Sequence, residues 1–400
     1  MPFELTEQQE MVRQMLRSWC EDKLEPKIDA LEEGDELPYP LMRDLADTFG
    51  IEDMIGSGGS GDSSNDEQSS SSGGGLFGAG TDPMFGHIIM MELSRVSPGF
   101  ALSLGASIGL TGGTIMSKGD KAQKKRWGIP LLTLQKIGGW GLTEPNAGSD
   151  AFGSMRTTAK PDGDDWIING SKTFITNAPY ADIVVVYARL GELGSKHTGA
   201  FVIEAGTEGL TLGKPMKKMG MRESPTGEIF LEDVRVSSDH LLGGRPDESS
   251  RGQAKDTLKG ERSAMPAMAA GITDKCLEIC NKYAREREQF GRPIGDFQAV
   301  QVRIARIYTI HETIMNWVHR LAYEEANGGP SVATASAAKL YCGQASVDAC
   351  LEAIQVLGGY GYMREGRVEK LMRDAKLFQI GGGTDDIQMI RIASELAKQV

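Results

Sequence analysis

Cysteine, histidine and aromatic residues are scarce in this 400-residue chain, which holds five cysteines, five histidines and 6% Phe, Trp and Tyr. The cysteines, Cys20, Cys276, Cys280, Cys342 and Cys350, are odd in number and widely scattered. That excludes the disulfide framework of a small secreted domain and points to a reducing, cytoplasmic-type compartment. Cys276 and Cys280 are four apart on an apolar helical face and read as buried thiols rather than half of a metal site, so no metal is expected. No unbroken apolar run of about 18 residues occurs, and the opening MPFELTEQQE lacks the basic and apolar regions of an export signal. Long basic runs are missing too. With 43 Lys and Arg against 55 Asp and Glu, the net charge of −12 repels phosphate backbones and anionic lipid surfaces. Neither nucleic acid nor a membrane is an expected partner.

What is present falls into three textures, as the length of the chain leads one to expect. Residues 1–136 are helical in pattern: Thr6 can cap a helix running through Met11, Met15, Leu16 and Trp19, and Pro83 to Leu93 continues the theme. The Ser/Gly-rich stretch 57–75 interrupts it with nothing to bury, and reads as a mobile loop, either a solvated insertion or an active-site lid. Residues 137–245 turn to short β-branched runs, Trp166–Asn169, Ile183–Ala188, Ala200–Glu204 and Glu228–Val236, separated by Gly, Asp and Asn. Residues 246–400 return to long helices. On the first of these Met265, Met268, Ile272, Cys276, Ile279 and Tyr283 form one stripe. The fold class is therefore α+β, with a β domain between two helical ones and clefts between them able to take a planar cofactor.

Two strings carry chemistry. Trp140 to Asp150, WGLTEPNAGSD, offers backbone amides and hydroxyls around a proline-fixed turn, suited to the polar edge of a ring. Trp166 to Ala178, WIINGSKTFITNA, contains Asn169-Gly170, a hairpin signal that would place Phe174 to Thr176 on a return strand. An aromatic beside a hydroxyl there could give a flavin a face to pack on and a donor for its reactive nitrogen.

In this order and spacing the two strings resemble the flavin-binding signatures of the acyl-CoA dehydrogenase family. The resemblance extends through KMGMRESPTGEIFLEDVRV, REREQFGRPIGDFQAVQ and QVLGGYGYMREGRVEKLMRDAK, and so over nearly the whole chain except the Ser-rich insertion. It implies an N-terminal helical domain, a central β-barrel or sandwich and a C-terminal four-helix bundle. It implies FAD as cofactor, with Trp140, Leu142, Thr143 and Thr176 at the isoalloxazine ring, Phe174 packed against it, and Ser149 touching cofactor and acyl-CoA. By the same resemblance Arg287, Phe290 and Gln298 reach the FAD of a neighbouring subunit. Gln355, Gly358 and Gly359 hold its adenosine diphosphate portion, and Thr384 and Asp386 lie near the cofactor. A homotetramer follows, as does an electron-transfer flavoprotein that receives the electrons.

The resemblance also asks for a carboxylate to take the α proton of the thioester. Many members place a glutamate just before a Gly-Thr pair near the C-terminus; here Gln379 to Thr384 reads QIGGGT and Gly382 stands in that place. Members similar to isovaleryl-CoA dehydrogenase use a glutamate followed by arginine at the start of the first C-terminal helix, matched by Glu261 and Arg262. Steps of four, three and four from Glu261 reach Met265, Met268 and Ile272, so the acid extends an inward stripe where desolvation would raise its pKa. Asp385 and Asp386 are rival acids, but Thr384 is a plausible N-cap that puts both in a first helical turn. Gly382 and Gly383 would allow close approach of substrate. Arg262 could pair with the CoA portion or with a nearby acid. The expected reaction is oxidation of an acyl-CoA, short and branched or alicyclic, to the 2,3-enoyl-CoA. The rivals are oxygen-dependent or non-oxidative chemistry on a CoA thioester, and a non-catalytic flavoprotein scaffold.

Overall fold

Thr6 starts the first helix as its sequence suggests, with its hydroxyl accepting from Gln9 N while the Gln9 side chain reaches back to Thr6 N. The computed structural model describes residues 4–51, 82–244 and 250–398, and in the last stretch the side chains from 263 onward. The Ser/Gly-rich 57–75 segment lies outside the described residues.

Five helices, α1 (Glu7–Trp19), α2 (Ile28–Glu33), α3 (Tyr39–Thr48), α4 (Pro83–Val96) and α5 (Pro98–Gly105), lead through wide helical turns to α6 (Gly113–Lys118). On α1 the inward face is Leu16 and Trp19, while Met11 and Met15 are exposed. Pro98–Lys118 is long and apolar enough to cross a membrane, yet 67% of it is buried in the protein. It is a core segment. The C-terminal helices are α7 (Ser250–Glu286), α8 (Gln298–Ala326), α9 (Val332–Leu357), α10 (Val368–Ala375) and α11 (Asp385–Ala397). Met265, Met268, Ile272 and Cys276 of α7 are buried against the N-terminal helices in one core. Gly271 lets α7 approach α4, since a Cβ there would strike the Met91 carbonyl. All five cysteines are buried free thiols.

Between the helical parts lie β1 (Gly138–Gly141), β2 (Thr158–Asp162), β3 (Asp165–Thr176), β4 (Ile183–Leu190), β5 (Thr198–Glu204), β6 (Leu210–Leu212) and β7 (Thr226–Ser237). They form one mixed sheet ordered β1-β4-β2-β3-β7-β6, with β5 on β4. Strand β4 is buried along its whole length, and its alternation divides two cores. Val184, Val186 and Ala188 face the core inside the sheet. Ile183, Val185 and Tyr187 face Trp127 and Trp140 at the junction with the helices.

One expectation fails here. Asn169-Gly170 is not a hairpin turn, because β3 runs unbroken from Asp165 to Thr176 and the turn is made by Gly163, at φ +64°, and Asp164. Gly170 is instead needed mid-strand: its φ is +147°, and a Cβ would lie 2.7 Å from Thr157 Cα. The sequence reading also passed over a small hairpin after α7, β8 (Glu288–Gln289) with β9 (Arg292–Pro293). Phe290 and Gly291 form its tip at φ +54° and +76°.

Candidate functional site

The site is built where β1 runs out beside the end of β3. Strand β3 alternates with Ile168, Gly170 and Lys172 inward, a parity that would also turn Phe174 inward. A β-bulge prevents it. Lys172 pairs with Ile229 and Ile175 with Gly227, so Thr173 and Phe174 together stand opposite one residue of β7. The extra residue returns Ile175 to the core and leaves Phe174 68% exposed at φ +58°. A phenylalanine in that conformation is strained by about 1–3 kcal/mol, the kind of cost found where a side chain must be presented. Thr176, at the end of the strand, is half-buried.

The WGLTEPNAGSD string supplies the other wall. Trp140 and Leu142 turn their side chains into the core between sheet and helices, the Trp140 indole donating to Thr114 Oγ1 at 3.1 Å. What they can offer a ligand is backbone. Thr143 is half-buried, and its carbonyl accepts from Thr173 N at 2.9 Å, which sets it directly against the bulge. Neither the Thr143 nor the Thr176 hydroxyl has a hydrogen-bond partner among the described residues. Beyond the turn Ser149 is exposed, in a loop closed by Asp150 accepting from Gly153 N and Ser154 Oγ.

Beneath this surface are two residues that the sequence reading did not single out. Glu144 is buried and accepts from Arg156 N at 2.6 Å, Thr157 N at 3.0 Å and Lys172 Nζ at 2.8 Å. Lys172 is fully buried and also donates to Leu142 O at 3.3 Å. Burial pulls the Lys172 ammonium down to about 8 against the attraction of Glu144. Burial acts to raise Glu144, but Lys172 and the two backbone amides outweigh it and hold the carboxyl below its ordinary value. The available signal was a lysine at an inward parity position of a strand.

The remaining expected residues lie elsewhere. Arg287 and Phe290 are at the β8–β9 hairpin and Gln298 opens α8, all three exposed. Gln355, Gly358 and Gly359 end α9 on the surface, and Tyr360 in that loop stacks on Tyr283 of α7 at 5.8 Å. These six form a second group, on elements separate from the Thr143–Phe174 wall. A third is the QIGGGT turn. Gly382 and Gly383 take φ +63° and +100°. Lys339 donates to Gly383 O at 2.6 Å, and Gln388 Nε2 to Gly382 O and Gly383 O at 3.1 and 2.9 Å. Thr384 caps α11, accepting from Ile387 N, and Asp386 is exposed in its first turn. Glu261 and Arg262 belong to α7, and their side chains lie outside the described residues.

A curled sheet between two helical layers, presenting an outward aromatic beside unpaired hydroxyls, defines a protein built to hold a flat, polar-edged cofactor. Models of the acyl-CoA dehydrogenase C-terminal, middle and N-terminal domains match residues 251–397, 139–234 and 74–135. A caffeyl-CoA reductase-Etf complex subunit of Acetobacterium woodii is 35% identical over 98% of this chain and 99% of its own. The mitochondrial isovaleryl-CoA dehydrogenase of Arabidopsis thaliana is 37% identical over 80% of this chain and 78% of its own. Among solved structures, butyryl-CoA dehydrogenase from Megasphaera elsdenii superposes with a TM-score of 0.88 at 33% identity, covering 99% and 100% of the two chains. An FAD complex of PigA does so at 0.87 and 26%, over the full length of both. The chain belongs to the acyl-CoA dehydrogenase family, whose members are FAD-dependent oxidoreductases. FAD fits the residues described: the exposed Phe174 offers a face, and the free hydroxyls of Thr143 and Thr176 offer polar contacts to a ring edge.

Proposed function

We propose that the protein oxidises a short branched or alicyclic acyl-CoA to its 2,3-enoyl-CoA and passes the electrons to an electron-transfer flavoprotein. The observation that carries this reading is the bulge that sets Phe174 outward beside Thr143 and Thr176. FAD supplies, when bound, the acceptor for the two electrons leaving the acyl chain. Thr143 and Thr176 orient it by hydrogen bonding, Phe174 packs against it, and Ser149 contacts the thioester side. Arg287, Phe290, Gln298, Gln355, Gly358 and Gly359 are exposed in one chain, which supports their serving the cofactor of a neighbouring subunit in a homotetramer. Five reduced, buried cysteines support a cytoplasmic setting.

Glu261 takes the α proton. Helix α7 carries position 261 in register with the buried Met265, Met268 and Ile272, and the alternative location holds Gly382, which has no acid to offer. Arg262 then serves the CoA portion, and the Gly382–Gly383 turn, clamped by Lys339 and Gln388, lets the substrate approach the backbone closely. A relative in complex with an Etf supports the electron carrier.

Anaerobic titration of the yellow holoprotein with a panel of acyl-CoAs tests this. Bleaching by a short branched thioester, with the 2,3-enoyl-CoA as product, is expected, and no bleaching by any member would overturn it. Glu261→Gln should keep its FAD and lose at least about 100-fold in reduction rate. Unchanged turnover in that variant moves the base elsewhere.

A further inference from the structure

The turn that carries Thr143 and the strand that carries Phe174 and Thr176 come from sequence positions some thirty residues apart, yet a cofactor ring must meet both at once. What joins them is ionic. Lys172 Nζ lies 2.8 Å from Glu144 Oε1 and 3.3 Å from Leu142 O, and Thr173 N donates to Thr143 O at 2.9 Å. Glu144 also accepts from Arg156 N and Thr157 N, which ties in the loop following Ser149 as well. Gly141 makes room for the lysine stem, since a Cβ there would stand 3.2 Å from Lys172 Cγ.

Such a pair is an unusual way to hold a sheet together. Removing two charges from water costs several kcal/mol each, and well-packed apolar residues of the same size often stabilise a protein as much or more. Beside it an apolar core is already in place, with Ile168, Ile175, Ile229 and Val234 packed together. Hydrogen bonds do what apolar contacts do not: they are directional and fix separation to a few tenths of an ångström. This one is spent on the residue next to a strained bulge, between the two walls of the site.

We propose that Glu144 and Lys172 are positioning residues for the flavin, a buried clamp that sets Thr143 against Phe174 and Thr176 and so fixes the hydrogen bonds and packing the ring receives. The inference rests on the FAD reading above. Neither side chain touches the cofactor; both act through the residues beside them.

The test uses the holoprotein, with Lys172→Met, Glu144→Gln and the double variant Glu144→Leu/Lys172→Met. For each we would measure FAD affinity on reconstitution, the shape of the visible flavin bands, the midpoint potential and apo-protein melting. The single variants should bind FAD about 10- to 100-fold more weakly, in line with loss of a supporting shell, with displaced flavin bands and a shifted potential. The double variant leaves no buried charge unpaired, although Arg156 N and Thr157 N lose their acceptor, so it should regain part of the apo stability lost in the single variants without regaining affinity, bands or potential. Should the single variants fail to fold, the double variant decides. If the double variant melts like wild type and binds FAD within twofold, with native bands and potential, the pair merely stabilises the sheet and the proposal is wrong. A wild-type protein without FAD would defeat the functional reading instead, so the two failures are distinguishable.

Discussion

Lys172 and Phe174 are two residues apart on one strand and have opposite fates, one fully buried and the other 68% exposed. The bulge between them holds Phe174 at φ +58°, a conformation that a glycine takes without strain. Phe174→Gly should therefore leave apo-protein stability within about 1 kcal/mol of wild type, because relieved strain offsets the flexibility that glycine adds to the unfolded chain. It should weaken FAD binding at the same time. Equal losses in melting temperature and affinity would show that Phe174 is a structural residue. Lys172 makes a prediction about pH. Its folded value of about 8 lies below the ordinary 10.5, so between them the unfolded chain holds a proton that the native state has shed. Unfolding then takes up a proton, and this group's contribution to stability rises with pH through that window, with a slope of at most about 1.4 kcal/mol per pH unit. Thermal melts from pH 7.5 to 10.5 should show that component in the wild type and lose it in Lys172→Met.

At the scale of elements, β3 works because it changes parity part-way along. Its first half follows β2 around the Gly163 turn and keeps Ile168 in the core, while the bulge re-phases the second half so that Ile175 is buried and Phe174 is not. Gly170 allows the strand to pass Thr157, and with φ +147° no side chain fits there without strain. Gly170→Val should cost about 2 kcal/mol or more through overpacking and backbone strain. It should also loosen the loop behind Glu144, whose carboxylate accepts from Thr157 N. A melting temperature unchanged from wild type would mean that the close passage does not constrain the strand. Helix α7 has a comparable part: one continuous helix runs through position 261 to the buried stripe from Met265 onward, so the proposed base belongs to a helix rather than to a loop.

For the whole molecule, the exposed second group bears on assembly. Phe290 is 94% exposed at a hairpin tip, touching Phe297 edge-on, and Gly358 and Gly359 after α9 are exposed as well. In a tetramer the mass by light scattering should be about four times the 43.2 kDa of the chain. Phe290→Ala, which removes a large apolar side chain that is 94% exposed and meets only the edge of Phe297 among the described residues, should weaken FAD retention on dilution by about 10-fold or more. A stable monomer that keeps its FAD would contradict both expectations.

The sequence by itself determined the alternation of helical and strand textures, the capped starts at Thr6 and Thr384, the apolar stripe of α7 and the two strings that carry the family resemblance. These are set by periodicity, local hydrogen bonding and residue type over short distances, which one chain displays directly. Tertiary structure decided the rest. The reading of Asn169-Gly170 as a turn went wrong because its physical constraint, the passage of Thr157 just before β2, comes from another part of the chain. The outward aim of Phe174 depends on pairing with β7, and the Glu144–Lys172 clamp on a contact across 28 residues of sequence. A bulge and a buried ion pair are properties of what faces a residue, and that is settled only when the strands come together.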